Sequence, residues 1–220
     1  MAKGVTRDGV VAAALAVLDE HGIEAVTVRA VAARLGVQAP ALYYHVRNKQ
    51  DLLDEMGTEI NRRVVRALTG RPAGASWHDD LISYAHALRT EYLAHRDGAR
   101  TFSGTLITDA EVLKAQEPWL RRWTAAGVSV AHAADATDLV TAFVVGFVIE
   151  EQERAQSDPA RYAPDERDRR IGAGAPLVAE SGHARQDGES RFERQLGVVI
   201  AGIAARLGPA AAPPRLRDRA

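Results

Sequence analysis

Apolar positions along this chain recur at intervals of three and four residues, the spacing that lines one face of an α-helix. Val10, Val11, Ala14, Leu15 and Leu18 define a first helix, with Thr6 as N-cap, Asp8 in the first turn and His21-Gly22 at its end. Thr27 caps a second, in which Val28, Val31, Ala32 and Leu35 share a face before Gly36 ends it. Pro40 sits near the start of a third, very short helix reaching Val46. Asn48 caps a long fourth helix whose Leu52, Met56, Ile60, Val64 and Leu68 step every four residues.

The rest continues in the same period. A Gly/Pro loop, "TGRPAGAS" (69–76), precedes a helix opened by Ser76 that carries Leu81, Tyr84, Ala85, Leu88 and Tyr92. Another spans about 109–126, and Pro118 inside it predicts a kink or a broken start. Residues 135–155 form the most apolar helix, wide enough in its apolar surface to be buried on more than one side. Residues 165–190 give no clear pattern. A last helix, 188–207, carries Phe192, Leu196, Val199, Ile200 and Ile203, and 209–220 is a Pro/Ala/Arg tail expected to be disordered. No segment carries a convincing strand pattern and no repeat is present. The expected fold is all-α.

Composition narrows the chemistry. The 220 residues include no cysteine, which removes disulfides, thiolate zinc sites and a cysteine nucleophile together. The start "MAKGVTRDGV" lacks the apolar core of a signal peptide, and the longest apolar run, "AFVVGFVI" (142–149), is too short to span a bilayer. A cytoplasmic protein without a membrane partner is the expectation. Net charge is −1, so no global basic field points to nucleic acid, although residues 1–50 hold six Lys or Arg against four Asp or Glu.

That small surplus gains meaning from shape. Two short helices joined by a Gly-containing turn make a helix-turn-helix, whose second helix offers its N-terminal residues to a major groove. In "QAPALYYHVRNKQDLL" (38–53), Leu42 and Val46 are four apart and hold the segment to the core. Ala39, Pro40, Ala41, Tyr43 and Tyr44 then face outward. A tyrosine can hydrogen-bond a phosphate while its ring packs on sugar or a thymine methyl. Lys49 and Arg29 are further phosphate or base donors.

The stretches "AALAVLDEHGIEAVTVRAVAARLGV" (13–37) and "PALYYHVRNKQDLL" (40–53) closely resemble the DNA-binding domain of tetracycline-repressor (TetR-type) regulators. Further landmarks extend the resemblance to about residue 207: "SW" (76–77), "RDGA" (96–99), "GT" (104–105), "AG" (126–127) and "VGFVIEEQER" (145–154). The resemblance implies a helix-turn-helix DNA-binding domain over 1–49. An effector-binding and dimerisation domain over 50–208 would follow, with the fourth helix as connector. It implies a homodimer paired through the helices near 135–155 and 188–207, with two heads on a palindromic double-stranded operator. Half-sites one turn apart need heads about 34–36 Å apart. A small-molecule effector would pivot the fourth helix and spoil that spacing. DNA contacts carried over by position are Arg29, Ala39, Pro40, Ala41, Tyr43, Tyr44 and Lys49. The tetracycline repressors use glutamine, threonine and tryptophan where Ala39, Ala41 and Tyr44 stand. Two alanines make no bidentate base contact, so a different operator is expected, with Arg29 and its neighbours supplying more of the readout.

The effector positions diverge as well. Tetracycline repressors bind a magnesium chelate through a histidine that follows the "RDGA" landmark, and Phe102 stands there in this chain. Glu150 falls where the family keeps a glutamate near the metal, but one carboxylate holds magnesium poorly. Tyr84, Leu88, Phe102, Thr105, Trp119, Trp123, Phe143 and Phe147 suggest an aromatic and aliphatic pocket, with Thr101 and Thr141 as further polar contacts. The expectation is a hydrophobic or aromatic effector bound without metal or cofactor. His78, His86, His95, His132 and His183 form no HxxxH or HExxH pair, and no nucleophile elbow is present. A ligand-responsive repressor, not an enzyme, is therefore expected. An activator or a helical adaptor on the same fold are the alternatives.

Overall fold

The computed structural model describes residues 5–69, 76–184 and 188–207, which form helices and turns with no strand among them. Most of the expected 69–76 loop and the expected tail lie outside the described residues. The N-terminal unit comprises α1 (Arg7–His21) and α2 (Val28–Arg34), and α3 (Lys49–Thr69) leaves it. The larger unit comprises α4 (Trp77–Leu93), α5 (Gly98–Phe102), α6 (Ala110–Lys114), α7 (Glu117–Ala125) and α8 (Val130–Gln156). It is completed by α9 (Pro164–Ile171), α10 (Pro176–His183) and α11 (Glu189–Leu207).

The helix starts follow from capping chemistry. Thr6 Oγ1 accepts from Gly9 N–H and Thr27 Oγ1 from Ala30 N–H, each at 3.1 Å. Asn48 Oδ1 accepts from Asp51 N–H at 2.9 Å. Ser76 and Asp79 form a full capping box at the head of α4. The every-fourth-residue stripe of α3 is buried at Leu52, Met56, Ile60 and Val64, while Leu68 is half-buried at its outer end.

Three expectations need correction. The segment 39–46 is not a regular α-helix: Ala39–Ala41 is a 3₁₀ turn, and Val46 N–H closes an α-type turn onto Leu42 O at 2.9 Å. Pro40 at the start of the turn does not block a helix; the N–H groups of Ala41 and Leu42 instead close i→i−3 onto Gln38 O and Ala39 O, at 2.9 and 3.0 Å. The helix over 109–126 has the broken start expected at Pro118: Ala110–Lys114 ends first, and a second helix begins at Glu117 with Pro118 in its first turn. The apolar helix begins at Val130, capped by Ser129, rather than at 135. Residues 164–183, without a clear pattern in sequence, hold the two short helices α9 and α10.

One apolar core runs from α1 to α11, with α8 packed on α4, α7 and α11, and α3 packed on α1, α4 and α5. By length and composition α8 could cross a bilayer, with a window of mean hydropathy 1.4. Val140, Val144, Phe147 and Val148 are instead buried inside the domain.

Candidate nucleic-acid interface and effector domain

In the N-terminal unit α2, the turn at Gly36 and the segment 39–46 form the helix-turn-helix. Gly36 has φ 68°, a conformation that favours glycine, and Val37 N–H returns to Ala32 O at 3.0 Å to close α2. Leu42 and Val46 are buried at 0% and 1% exposure, whereas Tyr43 and Tyr44 stand 52% and 91% exposed. Arg29, Pro40 and Ala41 are exposed on the same unit, while Ala39 is half-buried and packs against the core. Lys49 is exposed, and its Nζ donates to Ile23 O at 3.2 Å, so it also ties the start of α3 to the loop between α1 and α2.

A second tie joins this unit to the larger one through the turn 93–98. Asp19 of α1 lies 3.0 Å from His95 Nδ1 and accepts from Arg96 N–H at 3.2 Å. Asp97, in a left-handed conformation, accepts from Ile23 N–H at 3.3 Å. His95 is buried, and its Nε2 lies 3.3 Å from an Arg63 nitrogen, which can only donate. Nδ1 therefore carries the proton that Asp19 accepts. From the other side Gln152 of α8 donates to both Tyr92 O (3.1 Å) and His95 O (2.7 Å). Gly98 closes the turn where a Cβ would lie 2.1 Å from Tyr92 O. This bridge was not visible in sequence, since its partners stand 57 to 77 residues apart and each reads alone as a surface polar residue.

In the larger unit the proposed effector residues form three groups. Tyr84 Oη shares a 2.9 Å hydrogen bond with Thr141 Oγ1, and its ring meets Trp119 edge-on at 5.8 Å. Burial pushes the Tyr84 phenol above its ordinary value, which keeps it protonated. Trp119 stacks on Trp123 at 5.4 Å, and Trp123, 1% exposed, donates from Nε1 to Asp80 at 2.8 Å. Phe143 and Phe147 pack on Phe192 of α11, and Leu88 is buried in α4. Phe102 is buried between Tyr92 and His95. Thr105 donates to Phe102 O at 2.8 Å and presses on α3, where a Cβ on Gly57 would lie 2.0 Å from Thr105 Oγ1. Thr101 is buried, with no partner for its hydroxyl among the described residues.

Across these groups runs Arg89, 9% exposed. Its guanidinium makes a bidentate pair with Glu151 of α8 at 2.8 and 3.1 Å, pairs with Glu189 of α11, and sits 4.7 Å over Phe192. Sequence reasoning passed over it, because an arginine inside an apolar stripe carries no mark of where its carboxylates lie.

The residues present do not suit a magnesium chelate. Phe102 offers no lone pair, and Glu150 pairs with Arg191 at 2.8 Å. Among the described residues His86, Glu189 and Glu193 bring potential ligand atoms within 4.8 Å of one another, but the Arg89 guanidinium already occupies Glu189.

A groove of about 830 Å³ runs between α8 and α11, lined by Ala136, Leu139, Ala142, Val199 and Gly202. Leu139 and Val198 are 56% and 71% exposed beside it, a concentration of exposed apolar groups typical of a protein interface.

Two family descriptions match: "Bacterial regulatory proteins, tetR family" over residues 10–56, and "Tetracyclin repressor-like, C-terminal domain" over 70–207. The chain is 35% identical over 204 residues to the class D tetracycline repressor of Escherichia coli, covering 92% of this chain and 91% of that one. Its fold is similar to that of the Streptomyces coelicolor TetR family protein ActR in complex with actinorhodin. There the TM-score is 0.79 and the identity 26%, over 94% of this chain and 98% of ActR. A glutamine-to-alanine variant of the Acinetobacter baumannii TetR in complex with minocycline is similar at TM-score 0.70 and 30% identity, over 93% and 99%.

Proposed function

This chain belongs to the tetR family of bacterial regulators, with that family's tetracycline-repressor-like C-terminal domain, and from that premise we propose how its parts divide the work. It is a ligand-responsive transcriptional repressor rather than an enzyme, and it binds operator DNA as a homodimer. Residues 1–49 serve as the DNA-binding head, and 50–208 as the effector and dimerisation domain. Pairing of α8 and α11 with their symmetry mates covers Leu139 and Val198, which accounts for their exposure in one chain. The protein works in the cytoplasm, where its operator is.

The observation that carries the DNA reading is the inside-out contrast of one short turn, with Leu42 and Val46 buried while Tyr43 and Tyr44 point away. Tyr43, Tyr44 and Lys49 grip the backbone, Arg29 reads a base edge, and Ala39, Pro40 and Ala41 make close van der Waals contacts. In a mobility shift on the gene's own upstream DNA, Tyr44→Ala combined with Lys49→Ala is expected to lower affinity by about tenfold or more. The salt dependence should become shallower by about one phosphate contact. Equal affinity of the variant and the parent would remove these residues from the interface.

The effector is a small aromatic molecule bound without metal, in contact with the groups around Tyr84, Phe102 and Phe147. Leu88, Thr105, Trp119, Trp123 and Phe143 shape that site, with Trp123 and Leu88 acting from the core. Phe102 in place of a metal ligand supports this reading. Tetracycline titrated with and without magnesium, followed by tryptophan fluorescence, should show no magnesium-dependent binding. A magnesium-dependent quench would overturn the metal-free assignment.

A further inference from the structure

The C-terminal half of α8, the α9–α10 pair and the start of α11 enclose a cavity of about 790 Å³, within the range of a drug-sized ligand. Among the described residues five arginines line it (Arg154, Arg161, Arg167, Arg170 and Arg191), against one carboxylate, Glu151, which is already held by Arg89. Arg191 pairs with Glu150, but the other four have no carboxylate partner among the described residues. Exposed arginines on a helix usually find water and need no explanation. These four are different in converging on one concave wall, where like charges repel and are screened less than on an open surface.

Their setting is also shaped. Arg154 and Arg161 lie 5.0 and 5.7 Å from the centroid of Tyr162, and Arg191 lies 5.0 Å from that of Phe147. A guanidinium held against a ring keeps its in-plane N–H groups free for an oxygen anion, and Arg offers them as a planar fork. Arg167 donates to Val178 O, and its Nη1 passes 1.5 Å from where a Cβ on Gly182 would stand, so the absence of a side chain there makes room for it. Apolar surface from Ala155, Ala163 and Pro164 completes the wall.

We propose that this cavity binds a drug-sized aromatic anion, its acid group taken by Arg154, Arg161 and Arg170 and its ring system laid along Tyr162 and Phe147. The inference rests on the aromatic-effector reading above, shares Phe147 with it, and moves the effector's seat to this cavity, away from Tyr84 and Phe102. Phe147 lines the cavity on one side and packs on Phe192 on the other, so an occupant there touches the aromatic groups of the effector domain directly.

The test uses the full-length protein and two fluorescent probes of similar shape, anionic 8-anilinonaphthalene-1-sulfonate and neutral N-phenyl-1-naphthylamine. Arg154→Gln/Arg161→Gln/Arg170→Gln is expected to weaken sulfonate binding at least about tenfold, as loss of charge-assisted hydrogen bonds implies. The neutral probe should bind the variant and the parent alike, and the parent's affinity for the sulfonate should fall with added salt. Unchanged sulfonate affinity, or equal weakening of both probes, would overturn the proposal. The neutral probe separates the two readings. A parent protein that binds neither probe would sink the aromatic-effector reading, whereas neutral-probe binding with sulfonate affinity unchanged in the variant sinks this inference alone. If the triple variant loses its helical circular dichroism, Arg170→Gln, an exposed single change, is measured instead, with an expected loss of about threefold.

Discussion

Gly98→Ala is expected to destabilise the protein by about 3 kcal/mol or more and to weaken operator binding at the same time. An added Cβ would stand 2.1 Å from Tyr92 O and 3.0 Å from Tyr92 C. Both are backbone atoms, so no rotamer change relieves the clash, and the turn 93–98 has to open. That turn carries His95, Arg96 and Asp97, through which the larger domain holds Asp19 and Ile23 of the head. Its carbonyls at Tyr92 and His95 are also the acceptors of Gln152. Opening it loses hydrogen bonds on both sides, most of them partly buried and each worth about 1 kcal/mol or less, beyond the overpacking itself. Thermal unfolding and a mobility shift on the same preparation check the result. A variant with parental stability and weakened DNA binding would mean that the turn adjusts locally, and parental behaviour in both assays would refute the bridge.

Arg89→Met is expected to cost about 2–3 kcal/mol, measured as a lowered urea midpoint at an unchanged slope. Arg89 is 9% exposed, and its guanidinium joins α4 to α8 through Glu151 and to α11 through Glu189. Methionine keeps most of the packing against Phe147 and Phe192 but leaves the half-buried Glu151 carboxylate without its bidentate partner. Glu189, 62% exposed, regains water and adds little to the loss. The double variant Arg89→Met/Glu151→Gln should recover part of the stability, because the orphaned charge is then gone. A single substitution costing under about 0.5 kcal/mol would show that the pair is solvated and contributes little.

What could be read from the sequence is what local chemistry dictates. Thr6, Thr27, Asn48 and Ser76 cap helices where their side chains can reach an N–H three residues on, and the α3 stripe is buried where its period says. The segment 39–46 reads as helix in sequence because Leu42 and Val46, four apart, fit a single α-turn after a 3₁₀ turn as well as they fit a helix. The start of α8 was placed late, since the weakly apolar run after Ser129 dilutes the periodic signal. α9 is charged along most of its length and α10 is short, so neither carries a stripe that would reveal it. At the candidate sites the outward tyrosines are legible from the Leu42–Val46 spacing, which leaves positions 43 and 44 facing away from the core. The grouping of the effector rings was not, because it depends on how α4, α7 and α8 cross. The arginine-lined cavity draws on residues from 147 to 191 whose convergence is a property of the fold, not of any motif.

The close contact between Gly57 and Thr105 has a mechanical consequence. Thr105 presses on α3 at a point about 12 Å along the helix from Lys49 and about 18 Å from Thr69, at 1.5 Å per residue. Were α3 to tilt as a rigid rod about that contact, it would act as a lever with its fulcrum nearer the DNA end. A sideways step of about 1 Å at the Thr69 end would then become an opposite step of about 0.7 Å at Lys49, and two-fold symmetry would apply it to both heads at once. In that motion the place of the notch at Gly57 would set the ratio between the two displacements.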